Sequence, residues 1–380
     1  MTPSPYPLET LLGGLSPERF LAEYWQKKPL LVRQALPGFQ GLLDRAELFE
    51  LAGRDDAESR LVHANRGRWA LDHGPFEPED LAALPKRGWS LLVQGVNHFL
   101  PSADRLLHSF NFAPYARLDD LMVSFAPDGG GVGPHFDSYD VFLIQGLGRR
   151  RWEISAQRDL ELVEGAPLRI LKRFQVEQSW ELAPGDMLYL PPKYAHNGIA
   201  LGDCMTYSVG FRAPSSQEIA SQFLVYLQDQ LALSGRYADP GLKRPRHPAE
   251  IGKDMLEQIE AMIAAIRWKP ADIADFAGRY LSEPKAHIFY DPPARPLGPA
   301  AFVKQAEQRG LRLDARSLLL FKGTRFFING EAISVDRRDA PTLCKLADDR
   351  RLGKARLPSG VTPLLHEWYR LGYLHLGQAA

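Results

Sequence analysis

Apolar residues recur at helical spacing in some stretches of the chain and alternate at strand spacing in others, and the changes between the two patterns divide it into parts. Ser16 to Tyr24, Arg45 to Ala52 and Glu79 to Ala83 carry helical patterns broken by Gly and Pro, with a short strand predicted at Pro29 to Val32. Trp89 to Val96 reads as a buried strand. From Leu121 to Phe211 short β-rich runs recur between Gly, Pro and Asp punctuation, the pattern of a double-stranded β-helix, a barrel of the jelly-roll type. After Pro214 helical spacing returns at Ile219 to Leu227, Met255 to Ile263 and Pro270 to Leu281. The last segment predicts a helix over Ala300 to Arg309, a strand over Ser317 to Phe321, and a hairpin over Arg325 to Ile333 turned by Asn329-Gly330. Helices around Thr342 to Ala347 and Pro363 to Leu371 complete a winged-helix-like unit. The expected fold class is α+β: a catalytic barrel with N-terminal elaboration over 1–214, a helical region over 215–298 and a winged-helix-like domain over 299–380.

Within the β-rich part, His135 and Asp137 stand two positions apart in a strand-like run. Side chains at i and i+2 share one face of a strand, so imidazole and carboxylate can converge on one point. They supply two thirds of a 2-His-1-carboxylate facial triad, the donor set that leaves positions open on non-haem Fe(II). Downstream, Pro184-Gly185-Asp186 opens a short apolar run that breaks at Pro191-Pro192 and is followed by His196 before Asn197-Gly198, the pattern of strand, turn and return strand. His196 is the expected third ligand, because a barrel mouth collects side chains from strands distant in sequence. His-x-Asp by itself is weak and also fits a solvated strand end; the second element makes it strong. Such a set leaves three positions of the ion open for further ligands.

Composition narrows the class further. The chain has 380 residues, 45% of them hydrophobic, enough for two or three cored domains. Its 46 basic and 46 acidic side chains cancel, so no global field steers it to nucleic acid or anionic membrane. Cys204 and Cys344 lie far apart, which argues against a disulfide framework and suits a reducing compartment. No basic segment followed by a long apolar stretch opens the chain and no run approaches a membrane span, so a cytoplasmic protein is expected. The remaining histidines lack a metal spacing, and there is no zinc-type Cys/His cluster, P-loop, dinucleotide fingerprint or nucleophile elbow. Arg337-Arg338, Arg350-Arg351, Lys354 and Arg356 form a basic cluster in the last unit, but Asp336, Asp339, Asp348 and Asp349 offset it, and direct nucleic-acid binding is not expected.

The His-x-Asp motif, the run Pro184 to His196, and Tyr139 to Trp152 together resemble the JmjC-type Fe(II)/2-oxoglutarate oxygenases, a cupin-like barrel family. Among these the chain is most similar to the bacterial ribosomal oxygenases, protein-arginine 3-hydroxylases acting on large-subunit ribosomal protein L sixteen. The likeness takes in the entry segment Tyr24 to Leu30 and the helical and winged-helix-like last third. It implies Fe(II) on His135, Asp137 and His196, with 2-oxoglutarate and dioxygen as cosubstrates. It also implies hydroxylation of an arginine β-carbon and a homodimer built on the helical region.

Arg149-Arg150-Arg151 offers three candidates for the cosubstrate's distal carboxylate, which a guanidinium fork would hold by charge-assisted bonds. Strand alternation puts Arg150 on the face of Trp152 and Ile154 and its neighbours on the other. Arg150 also falls where the ribosomal oxygenases place their cosubstrate arginine, and Ser124 matches that family's other contact. A substrate guanidinium needs a carboxylate partner. Asp128 in Pro127-Asp128-Gly129 is as readily a turn opener as a recognition residue, and the resemblance tips the expectation to recognition. Tyr139 and Asp140 are candidates either for lining the pocket or for orienting the ligands. The triad alone does not separate arginine hydroxylation from histidine or asparagine hydroxylation or lysine demethylation. A non-enzymatic cupin-like module contacting ribosomes or nucleic acid is the more distant alternative.

Overall fold

Nine strands join in one antiparallel sheet, and two of them are far longer than the sequence pattern predicts. They are β1 (Leu30–Val32), β2 (Ser59–Asn65), β3 (Arg68–His73), β4 (Trp89–Val93), β5 (Leu118–Ala126), β6 (Val141–Ser155), β7 (Gln178–Leu182), β8 (Met187–Leu190) and β9 (Ala195–Phe211). Their order is β1-β8-β6-β9-β5-β4-β2-β3, with β7 pairing on β6. This computed structural model describes residues 6–65 and 68–377; residues 1–5 and 378–380, at the ends of the expected first and last units, and the pair 66–67 lie outside the described residues.

β6 and β9 pair from Val141↔Gly210 to Ser155↔Ala195, with register shifts between Gln145 and Arg149. Gly146 to Gly148, which punctuates the sequence like a turn, is in the structure a bulge inside one continuous strand. Gly148 adopts φ +61°, and a Cβ there would lie 2.0 Å from the Asp203 carbonyl oxygen. Only glycine lets the two long strands bend together at this point. The pair β2/β3 went unpredicted, although Arg60 to Ala64 alternates; it widens the sheet beyond β4.

The N-terminal elaboration is fastened to the barrel by aromatic packing. Ser16 caps the helix Pro17–Glu23, its hydroxyl accepting from the Arg19 N–H at 3.2 Å, and Phe20 is the residue that helix buries. The Phe20 ring meets Tyr189 edge-on at 5.1 Å and Phe112 at 5.2 Å, and tilts on Phe142 at 5.8 Å. Beyond it the Gln26 N–H donates to the Tyr189 hydroxyl at 2.8 Å.

Helices Ser216–Gln230, Lys253–Ile263 and Pro270–Ser282 lie where helical spacing predicts them. The third packs on the strands β11 (Leu319–Lys322), β12 (Arg325–Ile328) and β13 (Glu331–Ser334) of the C-terminal unit, and its Phe276 also meets Phe223 and Tyr226 of the first helix at 5.2 and 5.7 Å. β10 is the short strand Leu311–Leu313. Asn329 and Gly330 both have positive φ, 51° and 87°, as the tight β12/β13 turn requires. Arg350, counted above among surface basic residues, is instead half of a tie between the units. Its guanidinium donates to the carbonyls of Asp314 and Ser317 at 2.9 Å and lies 3.5 Å from the half-buried Asp104 carboxylate. The Tyr115 hydroxyl adds a bond to the Asp348 carbonyl at 3.1 Å. No helix among the described residues is long and apolar enough to cross a membrane.

Phe20→Ala should cost about 3–5 kcal/mol, as loss of a fully buried phenylalanine does. A urea midpoint indistinguishable from that of the parent chain would show that the entry segment is not part of the cooperative core.

Candidate metal centre and its cavity

A two-bond backbone bridge brings the two imidazoles together. The His135 N–H donates to the His196 carbonyl at 2.9 Å and the His196 N–H to the His135 carbonyl at 2.8 Å, an isolated antiparallel bridge outside the named ladders. The bridge faces the rings toward each other with centroids 4.2 Å apart. Asp137, on the same chain segment, sets its Oδ2 3.6 Å from His196 Nε2. Donor atoms of His135, Asp137 and His196 all lie within 4.8 Å of one another, and this is the one such His/Cys/Asp/Glu group of three among the described residues.

The tautomers are set as a metal site needs them. His135 Nδ1 lies 2.9 Å from the Gly133 carbonyl and His196 Nδ1 2.9 Å from the Tyr194 carbonyl. Each Nδ1–H therefore donates to backbone, and each Nε2 lone pair is left for a cation. Burial, and then the neighbouring His135, pull the His196 imidazole down to about 4, so it is neutral at physiological pH. Two imidazoles and one carboxyl group in one cavity wall match the donor chemistry of a divalent iron-type ion with open positions.

The triad stands in the wall of a cavity of about 460 Å³ that also takes in Ser124, Arg150, Trp152, Asp119, Asp120 and Tyr139. The alternation argument for Arg150 agrees with the structure: Arg150 and Trp152 both face this cavity from β6. Arg150 is only 5% exposed, and one guanidinium nitrogen donates to the Ser124 hydroxyl at 3.3 Å. Its Nε and the other terminal nitrogen are buried without a partner. A buried guanidinium with two unanswered donors is costly unless an anion completes it, so the site fits a carboxylate-bearing ligand. Gly198 supports this wall, since a Cβ there would lie 2.7 Å from the Trp152 ring.

Asp128 is not brought to the cavity. Its side chain is more than half exposed, Oδ2 accepts from Arg87 at 2.7 Å and Oδ1 from the Gly202 N–H at 3.1 Å. The loop conformation has already satisfied both oxygens, so the turn-opening role describes it and the recognition role does not. Asp140 does not line the cavity either. It is fully buried, accepting from Tyr189 at 2.7 Å and Gln26 at 3.0 Å, and so ties β8 to the entry segment. Tyr139 does line the cavity; enclosure and then the Asp137 carboxylate push its hydroxyl up, which keeps it protonated.

Besides Asp137, the acidic residues that reach the cavity are Asp119 and Asp120, which the sequence did not single out. Consecutive strand residues ordinarily face opposite sides, but the β5/β9 register shifts between Leu118 and Leu121. The bulge re-aims the pair so that both line one space. Asp120 is buried, and its Oδ2 accepts from the Gly95 N–H at 2.9 Å. A doubled Asp at the start of a strand was the one available hint, and the bulge that gives it meaning is not visible in a single strand's sequence.

A JmjC domain model matches residues 105–219, and a ROXA-like winged-helix model matches residues 265–375. The Escherichia coli (strain K12) ribosomal protein uL16 3-hydroxylase is 36% identical over 325 residues, covering 84% of this chain and 86% of that protein. The crystal structure of E. coli YcfD superposes with a TM-score of 0.83 at 34% identity, over 95% of this chain and 98% of that one. A second YcfD structure, described as a ribosomal oxygenase in complex with cobalt and 2-oxoglutarate, gives a TM-score of 0.81 at 33% identity, over 96% and 99%.

Removing one triad ligand, as in His196→Ala, should weaken cobalt(II) binding by more than about 100-fold, beyond the loss typical of an outer partner. Asp128→Ala should bind the ion like the parent chain. A spectroscopic cobalt titration reads both; equal affinity of His196→Ala and parent would remove His196 from the centre.

Proposed function

The chain belongs to the JmjC-type ribosomal oxygenase family that includes the uL16 3-hydroxylases, and from that premise we propose that it is an Fe(II)- and 2-oxoglutarate-dependent hydroxylase of an arginine in ribosomal protein uL16, the protein called L sixteen above. The observation that carries the reading is the convergence, in one cavity, of a His-Asp-His donor set with a buried arginine that lacks two hydrogen-bond partners. Iron bound there supplies, with 2-oxoglutarate and dioxygen, the oxidising power that replaces a C–H bond by C–OH while the cosubstrate becomes succinate and carbon dioxide.

The chain's own residues bind and aim. His135 and His196 offer Nε2 and Asp137 a carboxylate oxygen to the ion. Arg150 and Ser124 hold the distal carboxylate of 2-oxoglutarate; the Arg150 fork gives it direction, and a lysine would supply only a point charge. On another part of the wall Asp119 and Asp120 present carboxylates to a cationic side chain, and Tyr139 closes that space as a hydroxyl donor. This acidic wall favours arginine over a neutral asparagine or imidazole, because a desolvated guanidinium requires a partner carboxylate.

A homodimer belongs to the same reading. Helix Lys253–Ile263 buries no residue in the isolated chain, and it exposes Leu256, Ile259, Met262 and Ile263 while helix Ser216–Gln230 exposes Leu224 and Val225. Apolar faces of this kind are what a symmetric partner would cover. A ribosomal protein substrate supports a cytoplasmic location for the enzyme. Direct nucleic-acid contact is not part of the reading, since Arg350 is engaged with Asp104 and the Asp314 and Ser317 carbonyls.

Incubation of uL16 peptides with the enzyme, Fe(II), 2-oxoglutarate and oxygen should add one oxygen to a single arginine by mass spectrometry, and His135→Ala should add none; cosubstrate turnover without that product would discard the ribosomal target. Arg150→Met should raise the KM for 2-oxoglutarate about 10- to 100-fold, the equivalent of about 1.5–3 kcal/mol for charge-assisted bonds. Placing Asp at both Leu256 and Ile263 should turn a dimer into a monomer by light scattering, and an unchanged mass would move the interface elsewhere.

A further inference from the structure

The acidic end of the cavity is completed by a residue from outside the barrel. Lys285 follows the helix Pro270–Ser282 and lies in the wall of the metal cavity together with Asp119 and Asp120. It also lines an adjoining groove of about 380 Å³ between the barrel rim and the C-terminal unit. Its ammonium sits 3.2 Å from Asp119 Oδ1. The segment that delivers it is held to the barrel by Arg212, whose Nη1 donates to the Leu281 carbonyl at 3.0 Å and whose Nε lies 3.5 Å from Asp119. Lys285 plays no part in the chemistry described above.

We propose that Lys285 is a positioning residue for the cationic substrate: its ammonium, 3.2 Å from Asp119 in the cavity wall that also holds Asp120, keeps this acidic end charged and so able to accept a guanidinium. This rests on the arginine reading above. Two adjacent carboxylates in a partly dry cavity oppose each other's ionisation, and a fixed cation relieves that opposition.

The electrostatics of the site run the same way. Burial lifts the Asp120 carboxyl, Lys285 and the Gly95 N–H draw it down, and Asp119 and Glu58 push it up, which together leave it raised to about 6. Burial also pulls the Lys285 ammonium down, but Asp120 and Asp119 outweigh that and leave it raised, so it stays charged. The other groups around Asp120 are the Gly95 N–H, Tyr139 and, further along the cavity wall, Arg60. Without Lys285 the balance at Asp120 tips toward the neutral acid near pH 7. A neutral carboxyl in that position gives up the charge-assisted bond, and substrate must then displace a proton to bind. A second consequence is that the C-terminal unit helps to build the barrel's substrate site as well as packing beside it.

The test compares parent enzyme, Lys285→Met and Lys285→Arg on a uL16 peptide. For Lys285→Met the peptide KM should rise by about tenfold near pH 7 and fall back toward the parent value as pH rises to about 9, one unit of carboxyl shift being a tenfold effect. The KM for 2-oxoglutarate should move little, and Lys285→Arg should restore the parent profile. A Lys285→Met peptide KM that runs parallel to the parent at every pH, with only a lower melting temperature, would overturn the proposal in favour of a purely structural tie. A lower peptide KM in Lys285→Met would overturn it too, showing that the lysine competes with substrate. If the parent enzyme leaves uL16 peptides unmodified, it is the arginine reading that fails.

Discussion

The reciprocal backbone bridge between His135 and His196 is the constraint on which the site depends. Two hydrogen bonds, at 2.9 and 2.8 Å, join segments that are far apart in sequence. Neither residue belongs to a regular ladder on the other's segment; the bridge sets the approach of the two rings, and the Lys193 N–H to the Asp137 carbonyl at 2.7 Å and the Ala200 N–H to the Gly130 carbonyl at 2.9 Å brace it on either side. The same local backbone supplies the Gly133 and Tyr194 carbonyls that orient each Nδ1–H. Position and tautomer thus come from one piece of main-chain geometry, which places both Nε2 lone pairs before any ion arrives.

The cavity is electrically divided. One wall carries Arg150, wholly inside the barrel and short of two partners; another carries Asp119 and Asp120 with Lys285 beside them. An anionic ligand and a cationic one can therefore occupy a single space without exchanging places, because each would lose its partner in the other's position. The three acidic and basic contributions come from different elements: a β6 strand that alternates regularly, a β5 strand that is bulged, and a linker from the C-terminal unit. Only the first of these follows the simple two-residue period.

That difference explains what could be read in advance. The Arg150 assignment rested on alternation, and alternation holds through Arg150, Trp152 and Ile154 because β6 is regular there, paired to β7 on one side and β9 on the other. The His-x-Asp pair was legible from its fixed spacing, although the expected strand is absent there: His135 makes only an isolated bridge and Asp137 lies outside the named strands. The Asn329-Gly330 turn was legible because tight hairpins demand positive φ at two positions. The Asp128 expectation failed where a loop's hydrogen bonds decide a side chain's fate: Arg87 and Gly202, both remote in sequence, take its two oxygens. Gly146 to Gly148 reads like a turn and is a bend in a continuous strand, since glycine marks positive φ or close approach without saying which.

By itself the sequence determined the donor set that converges at the cavity, the arginine that faces it from β6, the helices after the barrel and the winged-helix-like end. Each of these is written in a short-range period or a fixed spacing, which local backbone geometry converts directly into a shared face. The tertiary structure alone decided that His135 and His196 share a bridge, that a bulge turns Asp119 and Asp120 to the same cavity, and that Arg350 and Lys285 reach from the C-terminal unit to the barrel. Those outcomes depend on pairing register and on contacts between segments distant along the chain. No local periodicity encodes them, because the energy that selects them arises only when both partners are in place.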